Sequence, residues 1–127
     1  MSSAGFLFVF LAAVLSSGAN LVMRAGIDSA GGFSPGTPAE VLTALVRLFL
    51  QPLFLAGFIA YLLGNISWFR AIASEPLSIA YPTLVSLSFF LLTGGAALFL
   101  GEPITLRKLI GLAVILGGIV LVSAEGA

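Results

Sequence analysis

Ten charged side chains are so unevenly placed along these 127 residues that four long stretches carry none. Met1 to Met23, Leu48 to Phe69, Pro76 to Gly101 and Leu109 to Ala124 are all free of charge. A helix needs about 20 largely apolar residues to cross a hydrocarbon core ~30 Å thick, since each residue advances it by ~1.5 Å. The first three runs meet that length. The fourth has 16 residues and is extended by Ile104 to Leu106, with Arg107 and Lys108 snorkelling toward the interface. The expected fold is all-α and membrane-embedded: one domain of four transmembrane helices, with spans at about 4–24, 52–72, 77–100 and 104–123.

Composition narrows the function. Hydrophobic residues make up 60% and charged residues 8%, against roughly 25% charged in a typical globular domain, which excludes a soluble monomer. Five basic and five acidic residues cancel, so the chain lacks the basic footprint of nucleic-acid binding. Without Cys or His there are no disulfides, no thiolate or imidazole metal sites and no Cys-His or Ser-His-Asp catalysis. No paired carboxylates or activated nucleophile can be assembled either, so neither an enzyme, a cofactor nor a metal is expected. The alternative reading of the first run, a signal peptide, fits poorly, since the run lacks a basic n-region and continues past Ser16-Ser17-Gly18 to Met23. The termini carry only Glu125, so no soluble domain is expected at either end.

The connection from Arg24 to Gln51 alone has room for extra structure. Gly31-Gly32, Pro35-Gly36 and Pro38 mark irregular backbone. Thr37-Pro38-Ala39-Glu40 then reads as a capping box opening a helix over 38–50, either interfacial or a bent extension of span two. At the other junctions, Glu75-Pro76 and Glu102-Pro103 each stop one helix and start the next, with the carboxylate near the new helix's positive end. Connections one and three carry four basic residues against one in connection two. The positive-inside rule puts those two in the cytoplasm and both termini outside, with dual insertion left open.

Four packed helices fill their own centre with side chains, so a transporter of this size needs a partner. Gly111, Gly117 and Gly118 in span four would let another helix approach closely. They are the candidate contact of a homodimer or of a heterodimer with a similar four-helix subunit; the alternative is packing within the monomer.

Polar residues inside apolar spans are costly and therefore informative. Ser16, Asn20 and Arg24 are spaced by four and share a face. The serines can bond to their own preceding turn, whereas Asn20 is less easily satisfied and reads as interhelical glue or a substrate contact. Span two carries Tyr61, Asn65, Trp68 and Arg70; Trp68 suits an interfacial anchor, and Arg70 either a boundary marker or a phosphate contact. Tyr81-Pro82 opens span three, and Pro82 leaves the Ser78 carbonyl free, permitting a kink that widens a cavity or gates it. No carboxylate lies at the centre of any span, and Glu102 at the boundary is the nearest candidate for proton coupling.

The run Glu75-Pro76-Leu77-Ser78-Ile79-Ala80-Tyr81-Pro82, then Gly101-Glu102-Pro103-Ile104, then Gly117-Gly118-Ile119-Val120-Leu121 resembles the small four-helix branch of the drug/metabolite transporter superfamily, which includes the small multidrug resistance proteins. With Leu15-Ser16-Ser17-Gly18-Ala19-Asn20 and Met23-Arg24, it looks most like the subunits of flippases for undecaprenyl-phosphate-linked aminoarabinose. Drug-exporting members carry a first-span glutamate that alternates between proton and cationic drug. Matching Met23-Arg24 to their Met-Lys pair puts Ser16 there, which disfavours that mechanism.

The resemblance implies an inner-membrane transporter subunit moving a lipid-linked or amphiphilic small molecule by alternating access. Its polar head would lie near Asn20, Tyr61, Asn65 and Tyr81, with Arg24 and Arg70 meeting a phosphate on opposite sides of the membrane. A drug or small-solute exporter of the same superfamily, and a noncatalytic membrane scaffold, remain the alternatives.

Overall fold

The computed structural model describes residues 2–126, with side chains as far as Leu121. Five helices follow in chain order: α1 (Ser3–Ser29), α2 (Pro38–Leu50), α3 (Pro52–Ser74), α4 (Leu77–Phe99) and α5 (Leu106–Gly126). Among the described residues, α1, α3 and α4 are long and apolar enough to cross a membrane. The apolar run of α5 extends beyond the last described side chain.

Local chemistry sets most of the ends. The Ser2 hydroxyl caps α1 by accepting from the Gly5 N–H at 3.0 Å. At the far end Gly31 takes a φ of +92° that suits glycine. The Gly32 N–H then reaches the Ile27 carbonyl at 2.8 Å and the Gly31 N–H reaches that of Asp28 at 3.2 Å, closing a Schellman motif. Thr37 caps α2 by accepting from the Glu40 N–H at 3.3 Å. Glu40 reaches back, but to the Gly36 N–H at 2.7 Å, one residue beyond the expected partner. Only Gln51 separates α2 from α3, held extended by the proline that follows it.

Two junctions differ from expectation. Glu75 does not serve α4: it accepts from both the backbone N–H and the hydroxyl of Ser2, tying the end of α3 to the start of α1. Its carboxyl is held below the ordinary value mainly by the Ser2 hydroxyl. Pro103 does not start the last helix either. Residues 101–105 are irregular, and α5 begins at Leu106, where the Lys108 N–H donates to Thr105 Oγ1 at 3.2 Å. Thr105, a side-chain acceptor able to satisfy an orphan donor, outcompetes the proline as the start signal.

Helix α1 is the hub. It packs most extensively on α3 and next on α4, while α5 lies chiefly on α4 and α2 on α3. Against α3 the direction is antiparallel, because Gly26 meets Phe54, Gly57 meets Met23 and Ala19, and Gly64 meets Ser16 and Leu15. The absence of a side chain at these glycines lets the backbones close. A Cβ on Gly26 would lie 2.6 Å from the Phe54 nitrogen, and one on Gly57 would lie 2.9 Å from that of Met23. Against α4 the direction is parallel, since Val9 shares a buried cluster with Ala71 and Ala80 while Leu21 abuts Gly95. Helix α2 is held by Phe49, whose ring meets those of Phe54 and Phe58 edge-on at 5.4 and 5.0 Å.

Large side chains such as Leu98, Phe99 and Leu106 stand exposed across the surface. Such a surface is costly in water and ordinary in lipid. The chain is a multi-pass helical membrane protein.

Candidate functional site: a charged-mouth hollow between α1, α4 and α5

Where the C-terminal half of α1 meets the end of α4 and the start of α5, the helices leave a hollow of about 440 Å³. Asn20 and Arg24 enter it from α1, Phe89 and Thr93 from α4, Glu102 from the intervening connection and Lys108 from α5. The rest of its wall is apolar, including Leu21, Leu92 and Leu112. It thus combines greasy walls with two cations and a carboxylate.

Neither cation is tightly held. Arg24 Nε lies 3.5 Å from Asp28 Oδ1, with the two side chains 59% and 60% exposed. An exposed pair of this kind contributes only about 0–1 kcal/mol, so an incoming anion can replace Asp28 at little cost. Lys108 Nζ donates to the Pro103 carbonyl at 3.0 Å, a neutral acceptor that leaves its charge uncompensated there. A phosphate accepts stronger, charge-assisted hydrogen bonds from both groups.

Asn20 donates a side-chain N–H to the Ser16 carbonyl at 2.8 Å, which satisfies one donor on its own helix and leaves the amide oxygen on an exposed side chain. Ser17 is buried, and among the described residues its hydroxyl has no hydrogen-bond partner. Ser16, the position matched to the drug exporters' glutamate, is half-buried and lies against Gly64 of α3.

The other candidates lie elsewhere. Tyr81, Pro82 and Gly118 line a second, apolar hollow of about 420 Å³ on the α4–α5 surface. Tyr81 also meets Trp68 edge-on at 6.1 Å, linking α4 to α3. α4 continues through Pro82, and Ser86 donates to the Pro82 carbonyl at 2.8 Å. Tyr61, Asn65 and Arg70 sit on α3 and line neither hollow; Tyr61 neighbours Phe58 at 6.3 Å. Arg70 donates to Ser74 Oγ at 3.2 Å and lies 5.0 Å above the Phe8 ring, a cation–π contact. In the antiparallel register, Arg24 and Arg70 occupy opposite ends of the α1–α3 pair. Gly111, Gly117 and Gly118 are exposed, and a Cβ on any of them would meet nothing within 4 Å.

Sequence reasoning missed Lys108 and Thr93 as lining residues. Lys108 had a usable signal: connections one and three fall on the same side, so its charge and that of Arg24 share one end of the bundle. Thr93 had no comparable signal, being a single hydroxyl in an otherwise apolar stretch of α4.

Among known proteins, the "Probable 4-amino-4-deoxy-L-arabinose-phosphoundecaprenol flippase subunit ArnE" of Yersinia pestis (strain Pestoides F) is 49% identical over 61 residues, 48% of this chain and 53% of that protein. ArnE of Yersinia pseudotuberculosis serotype O:3 matches to the same extent. The matched region thus spans about half the length of these flippase subunits. The uncharacterized protein y4nH of Sinorhizobium fredii is 30% identical over 126 residues, 99% of this chain and all of that protein. No family model matches, and no solved structure does.

Proposed function

Because the chain belongs to the small multidrug resistance-like branch of the drug/metabolite transporter superfamily, in company with ArnE-type subunits, we propose that it is an inner-membrane flippase subunit for a lipid-linked sugar phosphate. The hollow beside Arg24 and Lys108 carries this reading, since it sets anion-binding groups at the rim of an apolar space. The phosphate binds the two cations, the sugar reaches Asn20 and Thr93, and the polyprenyl chain stays in lipid between α4 and α5. Glu102 suits an amino group on the sugar. The chemistry is transport without bond-making, and no cofactor takes part.

Four spans, formed by α1, α3, α4 and α5, cross the membrane, with connections one and three in the cytoplasm. A second four-helix subunit, identical or similar, covers the glycine face of α5 at Gly111, Gly117 and Gly118. The tight α1–α3 pair is the frame against which α4 and α5 rock, with Pro82 as the bend. Arg70, at the other end of the frame, receives the phosphate on exit, near Tyr61, Asn65 and Tyr81.

The test is reconstitution in vesicles with a fluorescent polyprenyl-phosphate sugar, alone and with candidate partner subunits. Movement across the bilayer that Arg24→Gln and Lys108→Gln abolish together supports the reading. Movement of a cationic dye driven by a proton gradient, with no movement of the lipid-linked sugar, would point to an exporter instead. Failure to move either with every partner supplied would favour a scaffold.

A further inference from the structure

Helix α2, which packs on α3, and the loop before it share no residue with the hollow described above. With 13 residues α2 is about 20 Å long, too short to cross a bilayer. It is nevertheless joined through Gln51 alone to the start of the membrane-crossing α3, so it sits where that helix enters the membrane. Its faces are sharply divided. Leu42, Val46 and Leu50 are 69%, 52% and 77% exposed, whereas Glu40, Thr43 and Arg47 recur at helical spacing on the other flank.

The 31–35 loop lies beside that flank, whose Glu40, Thr43 and Arg47 side chains stay exposed, and the two line an open hollow of about 280 Å³. Glu40 is engaged by the Gly36 N–H and lies two helical turns, about 10 Å along the axis, from Arg47. Among the described residues Arg47 has no carboxylate within salt-bridge distance.

We propose that this loop and α2 form a docking site for an anionic phospholipid of the surrounding bilayer. Leu42, Val46 and Leu50 rest among its acyl chains, and its headgroup phosphate sits on Arg47. Continuity with α3 makes lipid the occupant of the apolar flank. The side of the membrane agrees, since connections one and three hold four of the five basic residues and the cytoplasmic leaflet carries the negative surface potential. The inference is independent of which molecule is transported.

The chain has no cysteine, so single labels are unambiguous. The full protein carrying an environment-sensitive fluorophore at Leu42→Cys or Thr43→Cys is placed in phosphatidylcholine vesicles with and without phosphatidylglycerol. Brominated acyl chains should quench the label at Leu42 and spare that at Thr43. Native mass spectrometry should then show phosphatidylglycerol retained over phosphatidylcholine, with roughly fivefold loss of that preference in Arg47→Gln and its return in Arg47→Lys. Quenching of both labels by aqueous iodide alone would overturn the proposal, and this readout leaves Arg47 intact should its variants misfold. Unchanged lipid preference in a folded Arg47→Gln, or displacement of the lipid by inorganic phosphate at matched concentration, would overturn it as well.

Discussion

Both halves of this small bundle are rich in glycine, yet the residue does opposite things in them. Between α1 and α3, Gly26, Gly57 and Gly64 lie where an added Cβ would strike the neighbouring helix at 2.6 to 3.0 Å. In α4 and α5, Gly94, Gly111, Gly117 and Gly118 face open space, while Gly95 packs on Leu21; in α1, Gly18 is open as well. The first set lets two backbones meet, a contact already made within one chain; the second keeps backbone accessible on a surface that no described residue covers. The hollow lined by Tyr81 lies between α4 and α5, and that of the candidate site is bounded by those two helices and one face of α1. Open space thus borders the sparsely packed helices, while the α1–α3 contact is closed.

The sharpest way to break this contrast is to add one methyl group in each half. Gly26→Ala and Gly57→Ala should each cost about 1–3 kcal/mol by overpacking, and more in combination, read as unfolding in detergent. Gly111→Ala and Gly117→Ala should stay within about 0.5 kcal/mol in the monomer. Equal losses in the two halves would end the distinction. Next in size, replacing both Arg24 and Lys108 by glutamine removes two charge-assisted hydrogen bonds to phosphate and should lower flipping at least about tenfold with the fold intact.

A bulkier change, Gly117→Leu, should leave the monomer folded while cross-linking between subunits falls. An unchanged cross-linking yield would mean that the open glycines of α5 face lipid alone. The smallest effect belongs to the Ser2–Glu75 clasp at the tight end. Since the Glu75 carboxyl titrates below its ordinary value of 4.5, the clasp contributes stability above that value and loses it as pH falls through the folded-state value. Hydrogen exchange at the Gly5 amide should therefore speed up in acid relative to a base-corrected reference. In Glu75→Gln the exchange should already be raised at neutral pH and show no acid step.

What could be read from sequence depended on how local the cause was. The charge-free runs around α1, α3 and α4 reflect lipid exposure residue by residue, and Thr37 announces α2 because a cap acts within one turn. Glu75 was misread because its adjacent proline suggested a local role, whereas its partner, Ser2, is 73 positions away. Asn20 finds one acceptor in its own backbone, four residues back, a local option that its reading as interhelical glue or a substrate contact did not include. The site was half legible: Asn20, Arg24 and Glu102 line one hollow, while Tyr81 turned up in another and Asn65 in neither, because face and height on a helix do not specify which neighbour fills the space beside it. The difference between filled and empty glycines is likewise invisible in composition.

The position of the hub helix also bears on how the protein is made. α1 leaves the ribosome before either helix it packs on: its chief partner, α3, starts more than 20 residues after α1 ends, and α4 follows later still. The helix with the most intramolecular contacts must therefore wait in lipid with none of them formed. The bond from Asn20 to Ser16 suits that interval, since it needs no other helix and lets a polar amide enter the bilayer with one of its N–H groups already paired.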